Sequence, residues 1–334
     1  MTVRVCIVGA GSIGGLIGSR LAAAGQAQVS ALARGATLAA LRAHGWRLQH
    51  GSTHVQAPVH AAAEQAAELG AQDLVVIAVK APALGAVAAG IAPLLGPHTI
   101  VLPAMNGVPW WFGHGVPALD GEPLQSIDPG GAIAAAIPFE RVVGCVVHAS
   151  ASSPEPGLVR HATGQGLIVG EPAGGTSERA QKVAHLLGHA GFEAKVSADV
   201  RYDIWYKLWG NMTMNPVSAL TGATIDRVLA DPLLRAYCTA AMREAAAVGE
   251  RIGCRIEQTP EDRHAITARL GAFKTSMLQD VEAGRAIELD AIVGSVHEIG
   301  QRVGVPTPHI DALFGLTRLF ARVRGLYPAP DPAA

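Results

Sequence analysis

A glycine pattern near the start of the chain, Gly9-Ala10-Gly11-Ser12-Ile13-Gly14, leaves few folds open to it. The pattern follows an apolar, β-branched run at Val3–Val8 and opens a helical pattern at Ile13–Ala24. In such a unit the first glycine permits a tight turn, the second lets the backbone approach a diphosphate, and the third lets helix and strand pack closely. The helix N-terminus offers its unpaired N–H groups to the anion. The pattern therefore predicts a dinucleotide site, against the alternative of a plain turn in a glycine-rich chain.

The alternation of short apolar runs and helical patterns continues through the first two hundred residues. Further apolar runs lie at Val29–Ala33, Asp73–Val79 and Thr99–Leu102. Nearly continuous apolar strands that alternate with helices indicate a parallel sheet with both faces covered. After Val142, short runs separated by turns predict an antiparallel extension of that sheet, and a helix at Arg179–His189 and a strand at Phe192–Val196 follow.

Strand patterns stop near Asp199, and only helical periodicity follows. The predicted helices are Tyr202–Leu220, Pro232–Ile252, Glu261–Ala283, Leu289–Val303 and Ile310–Val323. A chain of 334 residues exceeds one ordinary compact core, so two domains are expected. We predict an α/β fold with a doubly wound Rossmann-type domain over residues 1–198 and an all-helical substrate domain over residues 199–326. Residues 327–334 are predicted to be a disordered tail.

Composition excludes several classes of function. The formal net charge is −1 with both signs interspersed, so no basic face for a nucleic acid is expected. No apolar run reaches the roughly 20 residues that span a bilayer, and the start lacks the pattern of a signal peptide. The 4 cysteines are scattered and the 13 histidines form no recognisable ligand set. We therefore expect reduced thiols in a cytoplasmic protein and no metal site.

The end of the second predicted strand bears on the choice between NAD and NADP. An acidic residue there would bind the ribose 2′-hydroxyl, whereas an arginine accommodates a 2′-phosphate. The chain has Leu32-Ala33-Arg34-Gly35 without a nearby carboxylate, and Lys80 ends another apolar run as a second cation. NADP is therefore the expected cofactor. The alternative is that Arg34 is an ordinary solvated charge at a strand end.

Lys207, Asn211 and Asn215 stand at i, i+4 and i+8 of a predicted helix and therefore share one face. Their neighbours, such as Trp205, are mostly apolar or aromatic, and polar groups buried among such side chains are costly unless they find partners. A polar ligand would supply those partners, whereas a stripe facing solvent would need none. Pro216, directly after Asn215, is expected to kink the helix.

A second polar cluster follows in two segments, SMLQD at 276–280 and GRAIELD at 284–290. Ser276 and Asp280 share a helix face, and Gly284 suits the end of that helix. Glu288 falls at the start of the next predicted helix, where an acidic residue is favourable through the helix dipole alone. The alternative for Glu288 and Asp290 is therefore a purely structural role.

Together these motifs resemble the ketopantoate reductase (2-dehydropantoate 2-reductase) family. The resemblance rests on Gly9–Gly14, Asn106-Gly107, the helix Lys207–Pro216 and the segments at 276–290, in the family's order. It runs through both predicted domains. The resemblance implies an NADP-dependent oxidoreductase that reduces 2-dehydropantoate (ketopantoate), a 2-keto acid, to pantoate in pantothenate and coenzyme A biosynthesis.

The resemblance also implies a role for each matching residue. Lys207 matches the family's general acid, and Glu288 matches an acidic residue that helps organise the site. The implied substrate-binding residues are Asn106, Asn211, Asn215 and Ser276. The implied cofactor-binding residues are Gly9, Ala10, Gly11, Ser12, Ile13, Gly14, Arg34, Lys80 and Asn106. The chemistry agrees, because ketone reduction builds negative charge on oxygen, which a nearby ammonium stabilises while it supplies the proton.

Two positions depart from the family's pattern, because Ile225 and Phe273 stand where members often carry asparagine. The aromatic run Trp110–Phe112 also follows Asn106-Gly107. If these side chains line the pocket, the enzyme would prefer bulkier apolar 2-keto acids, or act in reverse as a D-2-hydroxyacid dehydrogenase. The aromatic run could equally pack a loop.

A third hypothesis belongs to another class of protein: a non-catalytic NADP-sensing protein that has kept the Rossmann domain. Such a protein is expected to lose its acid and base residues, yet Lys207, Ser276 and Glu288 are all present. Fold alone does not decide between these hypotheses. A homodimer is left open.

Overall fold

The computed structural model describes residues 2–329, and residue contacts divide the chain into two compact units. Within the described residues, the first unit comprises residues 2–111 and 130–203, and the second comprises residues 112–129 and 204–329. The sequence prediction had a single division between residues 198 and 199. The contacts group residues 112–129 with the helical unit, which the sequence did not predict because this segment has neither helical nor strand periodicity.

The first unit is built on a five-stranded parallel sheet. Its strands are β1 Val3–Val8, β2 Ala27–Leu32, β5 Ala62–Ala63, β6 Gln72–Ile77 and β7 Leu95–Pro103. They lie in the order β5-β2-β1-β6-β7, and β1 pairs in parallel with both β2 and β6. The chain leaves β1 towards β2 on one side and returns to β6 on the other. Ligands of such sheets bind outside the carboxyl ends of the strands at this point of reversal.

The remaining strands form a second, mixed sheet in the same unit. They are β3 Trp46–His50, β4 Thr53–Ala57, β8 Gly144–Glu155, β9 Leu158–Gly170 and β10 Glu193–Ser197. β9 pairs in parallel with β3 and β10 and antiparallel with β8. The antiparallel pair predicted after Val142 is thus present, but it belongs to a separate sheet and does not continue the parallel one. The short, largely polar hairpin of β3 and β4 gave no sequence signal for that sheet.

Helix α1 holds the two sheets of this unit in one core. The helices of the unit are α1 Ser12–Ala24, α2 Gly35–His44, α3 Leu84–Gly90, α4 Ala132–Ala136 and α5 Glu178–His189. Leu16 and Leu21 of α1 are buried in a cluster with Trp46 of β3 and Leu167 of β9. Burial of these large side chains fixes α1, and with it the N-terminal turn that follows β1.

The second unit is helical. Its helices are α6 Val200–Thr221, which starts in the first unit, α7 Ile225–Ala230, α8 Pro232–Arg251, α9 Pro260–Ala268, α10 Ser276–Glu282, α11 Ser295–Arg302 and α12 Pro308–Val323. The single helix predicted at 261–283 is therefore two helices, because Thr275 caps α10 by accepting a hydrogen bond from the N–H of Leu278 at 3.1 Å. The helix predicted from residue 289 begins with a π-helical turn, Asp290–Gly294. Within residues 2–329, no helix is both long and apolar enough to cross a membrane.

The segment after α12 is attached to the helical unit. The Tyr327 hydroxyl donates to Asp290 Oδ1 at 2.6 Å, and the Leu326 carbonyl accepts from the N–H of Ile287 at 3.1 Å. The disorder predicted for residues 327–334 therefore does not apply to Tyr327. Residues 330–334 of that predicted tail lie outside the described part of the chain.

Candidate active site

The predicted cofactor-binding residues of the first unit all follow carboxyl ends of strands in the parallel sheet. Gly9–Gly14 follows β1, Arg34 follows β2, Lys80 follows β6, and Asn106 follows β7. These four strands are consecutive neighbours in the sheet. Because the strands are parallel, their carboxyl ends share one edge, and the structure brings all these residues to that edge.

The glycine turn has the shape that a diphosphate requires. Gly9 has a φ of +90°, and a Cβ there would lie 2.6 Å from Val79. A Cβ on Gly14 would overlap the carbonyl oxygen of Gly9, whereas a Cβ on Gly11 would meet no protein atom within 4 Å. The backbone at Gly11, where α1 begins, is therefore open to a ligand. The residues present fit the phosphates of a dinucleotide at the helix N-terminus.

The two predicted cations occupy different environments at this edge. Arg34 is exposed and stands in extended conformation directly before α2. Lys80 is half-buried directly before a short 3₁₀ turn, and Asn106 is half-buried before Gly107, whose φ is +81°. An exposed guanidinium after β2 is in the position that suits a 2′-phosphate.

The polar stripe of α6 does not face solvent. Asn215 is 5% exposed, and Lys207 and Asn211 are half-buried. The helix is fastened on another side by Trp209, whose indole N–H donates to the Met242 carbonyl at 2.7 Å. Pro216 does not end the helix, which continues to Thr221. The structure thus keeps three polar side chains along one buried or half-buried face, as the sequence predicted.

In the second cluster, Ser276 and Asp280 differ in environment. Ser276 is exposed at the first position of α10, and its hydroxyl is not needed for the cap because Thr275 supplies it. Asp280 is buried and accepts a hydrogen bond from Arg285 Nε at 3.0 Å. The Ser276 hydroxyl is therefore available to a ligand. Asp280 instead accepts a hydrogen bond from Arg285, which follows the end of α10.

Glu288 is half-buried and sits between two anchored neighbours. The N–H of Ile287 donates to the Leu326 carbonyl, and Asp290 accepts from Tyr327. Burial raises the pKa of Asp290 above its ordinary value, although the Tyr327 hydroxyl opposes the shift. Burial and the neighbouring Asp290 likewise raise the pKa of Tyr327. The two groups therefore form one half-buried hydrogen-bonded pair close in sequence to Glu288.

The residues that depart from the family's pattern pack in protein interiors. Ile225 is 4% exposed and belongs to an apolar cluster with Met214 and Val217, against which Phe273 also packs. The N–H of Ile225 donates to the Phe273 carbonyl at 3.0 Å. These two side chains therefore stabilise the contact of α6, α7 and the segment before α10.

The aromatic run after Asn106 is buried as well. Trp110, Trp111 and Phe112 are 4%, 2% and 0% exposed. The Trp110 indole donates to the Ile137 carbonyl at 3.3 Å, and Phe112 stacks on Trp205 with ring centroids 6.0 Å apart. This packing favours the structural alternative for the run.

The sequence analysis missed the carboxylate that holds segment 112–129. Glu298 of α11 accepts hydrogen bonds from the backbone N–H groups of Gln125 and Ser126, each at 2.8 Å, and from the Ser126 hydroxyl at 2.6 Å. Arg302 pairs with the same carboxylate at 2.6 Å. No sequence signal could have found this contact, because it joins residues 172 positions apart.

The fold and the site together define a nicotinamide-dependent oxidoreductase with a Rossmann unit and a helical unit. The chain matches the ketopantoate reductase PanE/ApbA family over residues 5–174 and the C-terminal family of the same enzymes over residues 199–321. The chain therefore belongs to the ketopantoate reductase family, whose members act on CH–OH groups.

Known proteins agree over nearly the whole length of the chain. A 2-dehydropantoate 2-reductase from Mesorhizobium japonicum is 47% identical over 326 residues, covering 97% of this chain and 100% of that protein. A solved structure described as a candidate ketopantoate reductase from Ralstonia solanacearum MolK2 is 57% identical, with a TM-score of 0.94 over 98% of this chain and 100% of that one. A dimeric ketopantoate reductase from Staphylococcus aureus shares the fold at 19% identity, with a TM-score of 0.73 over 97% and 100% of the two chains.

Proposed function

We propose that the protein reduces 2-dehydropantoate to pantoate with NADPH, a step of pantothenate and coenzyme A biosynthesis. The observation that carries the proposal is the stripe of Lys207, Asn211 and Asn215 on a buried or half-buried face of α6. A cation and two amides held among apolar side chains are suited to a small polar ligand, because that ligand satisfies their hydrogen bonds.

Each residue of the site has a distinct task in the proposed reaction. NADPH, when bound, would supply the hydride that the keto carbon requires. Lys207 donates a proton from its ammonium to the carbonyl oxygen and stabilises the charge that develops there. Asn211 and Asn215 hold the substrate's polar groups through their amides, and Asn106 contacts the substrate beside the nicotinamide. The Ser276 hydroxyl donates to the substrate carboxylate, and Glu288 helps to order the site.

NADP is proposed over NAD because of the edge of the parallel sheet. Arg34 is exposed directly after β2, where an acidic residue would otherwise bind the ribose hydroxyls. Lys80, after β6, adds a second cation at the same edge. These charges suit the 2′-phosphate that distinguishes NADP.

The alternative substrates are bulkier apolar 2-keto acids, with a D-2-hydroxyacid dehydrogenase as the reverse reaction. That hypothesis relied on Ile225, Phe273 and the aromatic run from Trp110 as pocket-lining residues. The packing of Ile225 and Phe273 with Met214 and Val217 supports a structural role for these two residues. The amides of the α6 stripe remain suited to the 4-hydroxyl of 2-dehydropantoate, which therefore stays the leading substrate.

The remaining proposals concern the cellular location and the oligomeric state of the protein. We propose that the enzyme works in the cytoplasm, since its four cysteines are buried and none of them is in a disulfide, as expected in a reducing compartment. We also propose that it forms a homodimer. Its small-molecule partner is the 2-keto acid.

The test is an assay of the purified protein with NADPH and 2-dehydropantoate. We expect NADPH oxidation that depends on the keto acid, with one pantoate formed for each NADPH consumed. A protein that binds NADPH tightly yet oxidises none with any 2-keto acid would be the non-catalytic NADP sensor, and the proposal would be wrong.

A further inference from the structure

An apolar stripe runs along the exposed face of α12. Leu316 and Leu319 are each 63% exposed, Val323 is 76% exposed, and Ala312 precedes them as a further exposed apolar residue. Their spacing of four, three and four residues is that of a coiled-coil seam. The opposite face of α12, which includes Leu313, is buried in the unit. The stripe is therefore additional to the apolar face that folding requires.

An isolated exposed leucine needs no explanation, but a row along one helix is typical of an interaction surface. Within the described residues, six large apolar side chains are exposed, and three of them belong to this one stripe. The charged residues of α12 restrict which partner can bind the apolar stripe. Asp311 lies in the first turn, whereas Arg318, Arg322 and Arg324 lie towards the other end.

We propose that the stripe of α12 pairs antiparallel with the same stripe of a second copy of this chain. The antiparallel direction sets the Asp311 end of each helix beside the arginine-rich end of the other and opposes the two helix dipoles favourably. A parallel pair would bring the arginines together. In the antiparallel register Leu316 meets Leu319, and Ala312 meets the larger Val323. Such a two-fold contact is self-complementary, as a closed dimer requires.

The size of the surface sets the strength of the dimer. A helix of 16 residues is about 24 Å long. One helix pair buries less than the roughly 800 Å² per partner of a standard stable interface. The dimer is therefore expected to dissociate on dilution.

Sedimentation over a range of protein concentrations tests the surface. We expect the unmodified chain to pass from monomer to dimer, and Leu319→Glu to remain monomeric because it buries two charges at the two-fold axis. Leu270→Glu changes a 56% exposed leucine outside α12 and is the matched control that should still dimerise. A monomer at every concentration, or a dimer that survives Leu319→Glu, would overturn the proposal.

Cross-linking tests the direction of the pair. The four native cysteines are buried and none of them is in a disulfide, so any cross-link is expected to come from the introduced surface cysteines. The double variant Ala312→Cys/Val323→Cys should form a disulfide-linked dimer, whereas Val323→Cys alone should not. Cross-linking by the single variant would indicate a parallel pair and would contradict the antiparallel register.

A different observation concerns the segment after α12, and this second inference rests on the role proposed for Glu288. The hydrogen bond from Ile287 to Leu326 fixes the residue before Glu288, and the bond from Tyr327 to Asp290 fixes the residue two positions after it. Arg322 packs its guanidinium over the Tyr327 ring at 5.5 Å and donates to the Pro328 carbonyl at 3.1 Å. The segment after α12 therefore holds the chain both before and after Glu288.

We infer that Tyr327 and Asp290 are positioning residues that hold Glu288 in its working place. Asp290 also starts the π-helical turn Asp290–Gly294, so its bond with Tyr327 holds the first residue of this turn, two positions after Glu288. Such turns are frequent at functional sites. The Tyr327 hydroxyl bond stabilises this local conformation.

A double-mutant cycle separates this inference from a general loss of stability. Tyr327→Phe should lower kcat about tenfold with little change in KM, since small misplacements of catalytic groups are costly. In a Glu288→Gln background the same change should have no further effect, because the two residues act through one group. Tyr237→Phe, which removes another hydroxyl bond within the helical unit, to the His309 carbonyl at 2.5 Å, is the control that should leave kcat unchanged.

The outcomes separate a failure of the positioning role of Tyr327 from a failure of the role proposed for Glu288. Full activity of Tyr327→Phe beside an impaired Glu288→Gln would overturn the positioning role and leave the proposed function intact. Losses that multiply in the double variant would mean that Tyr327 acts independently of Glu288, and this result would also overturn it. Full activity of Glu288→Gln would instead remove Glu288 from the proposed site.

Discussion

Gly11 provides the most local test of the cofactor site, because the space next to its Cα contains no protein atoms. Gly11→Ala adds a methyl group that meets no protein atom within 4 Å, so the protein should fold normally. The methyl would occupy the approach of the diphosphate, and we expect the NADPH Kd to rise about tenfold or more, ~1.4 kcal/mol.

Gly188→Ala is the matched control for this change, because a Cβ there also meets nothing and the residue lies in α5 away from the sheet edge. Binding can be measured by the fluorescence of NADPH. An unchanged Kd in Gly11→Ala would mean that the diphosphate does not contact this turn.

Arg34 tests the choice of cofactor. Its guanidinium is exposed directly after β2, where it can pair with a 2′-phosphate but gains nothing from a 2′-hydroxyl. Arg34→Ala should therefore raise the KM for NADPH much more than the KM for NADH. Steady-state kinetics with both cofactors provide the measurement. Equal KM values for NADPH and NADH in the unmodified enzyme would contradict the assignment of NADP.

Lys207 tests the chemical step. Loss of a positioned general acid typically lowers the rate by about 10²–10⁴, and we expect this fall in kcat for Lys207→Ala. NADPH affinity should be retained, because the glycine turn belongs to another part of the chain. Lys182→Ala removes a lysine that is 70% exposed and should leave kcat unchanged. Near-normal turnover by Lys207→Ala would give Lys207 a structural role.

At the scale of elements, predictions succeeded where periodicity was strong. Helix α1, strand β1 and the polar face of α6 followed from apolar spacing, because each element buries one continuous face. The helix predicted at 261–283 was divided by the Thr275 cap, which competes with helical periodicity through a single local hydrogen bond. The parallel pairing of β3 with β9 joins strands more than a hundred residues apart. The alternation of apolar and polar residues within one strand does not indicate which other strand it pairs with.

The anchoring of segment 112–129 gives a prediction at this scale. Burial raises the pKa of Glu298, but the hydrogen bonds from Ser126 and Gln125 outweigh it, so the pKa lies below its ordinary value. Protonation therefore breaks the anchor, whose stabilisation is complete above the ordinary glutamate pKa and is lost as the pH falls through the lowered one. Hydrogen exchange at the Gln125 and Ser126 amides measures this anchoring directly.

Glu298→Ala should lower the protection of both amides about 10- to 100-fold at neutral pH, as expected for hydrogen bonds to a charged group. In the unmodified protein the same loss should occur only on acidification below about pH 4. Glu282→Ala, which breaks an exposed ion pair with Lys274, is the control that should leave these amides protected. Protection that is independent of Glu298 would mean that other contacts hold the segment.

For the whole molecule, the sequence indicated the local elements that carry the predicted site residues, but it did not indicate contacts between distant parts of the chain. The glycine turn and the α6 stripe carry their chemistry in local spacing, which a sequence displays directly. Glu298 contacts residues 125 and 126 of the segment that groups with the helical unit, and Tyr327 donates a hydrogen bond to Asp290. Both are pairings between distant positions, and nothing in the local sequence around either partner indicates them.

The central claim concerns the substrate of the whole enzyme, and the most direct test is the ratio of kcat/KM for 2-dehydropantoate and its deoxy analogue, 2-keto-3,3-dimethylbutyrate, with NADPH. A site that hydrogen-bonds a substrate hydroxyl strongly rejects an analogue without it, whereas an apolar pocket separates neighbouring substrates by only about 1–3 kcal/mol. With Asn211 and Asn215 holding the hydroxyl, we predict a preference for 2-dehydropantoate of about a thousandfold or more. Equal or better turnover of the deoxy analogue would contradict this account and favour an enzyme of apolar 2-keto acids.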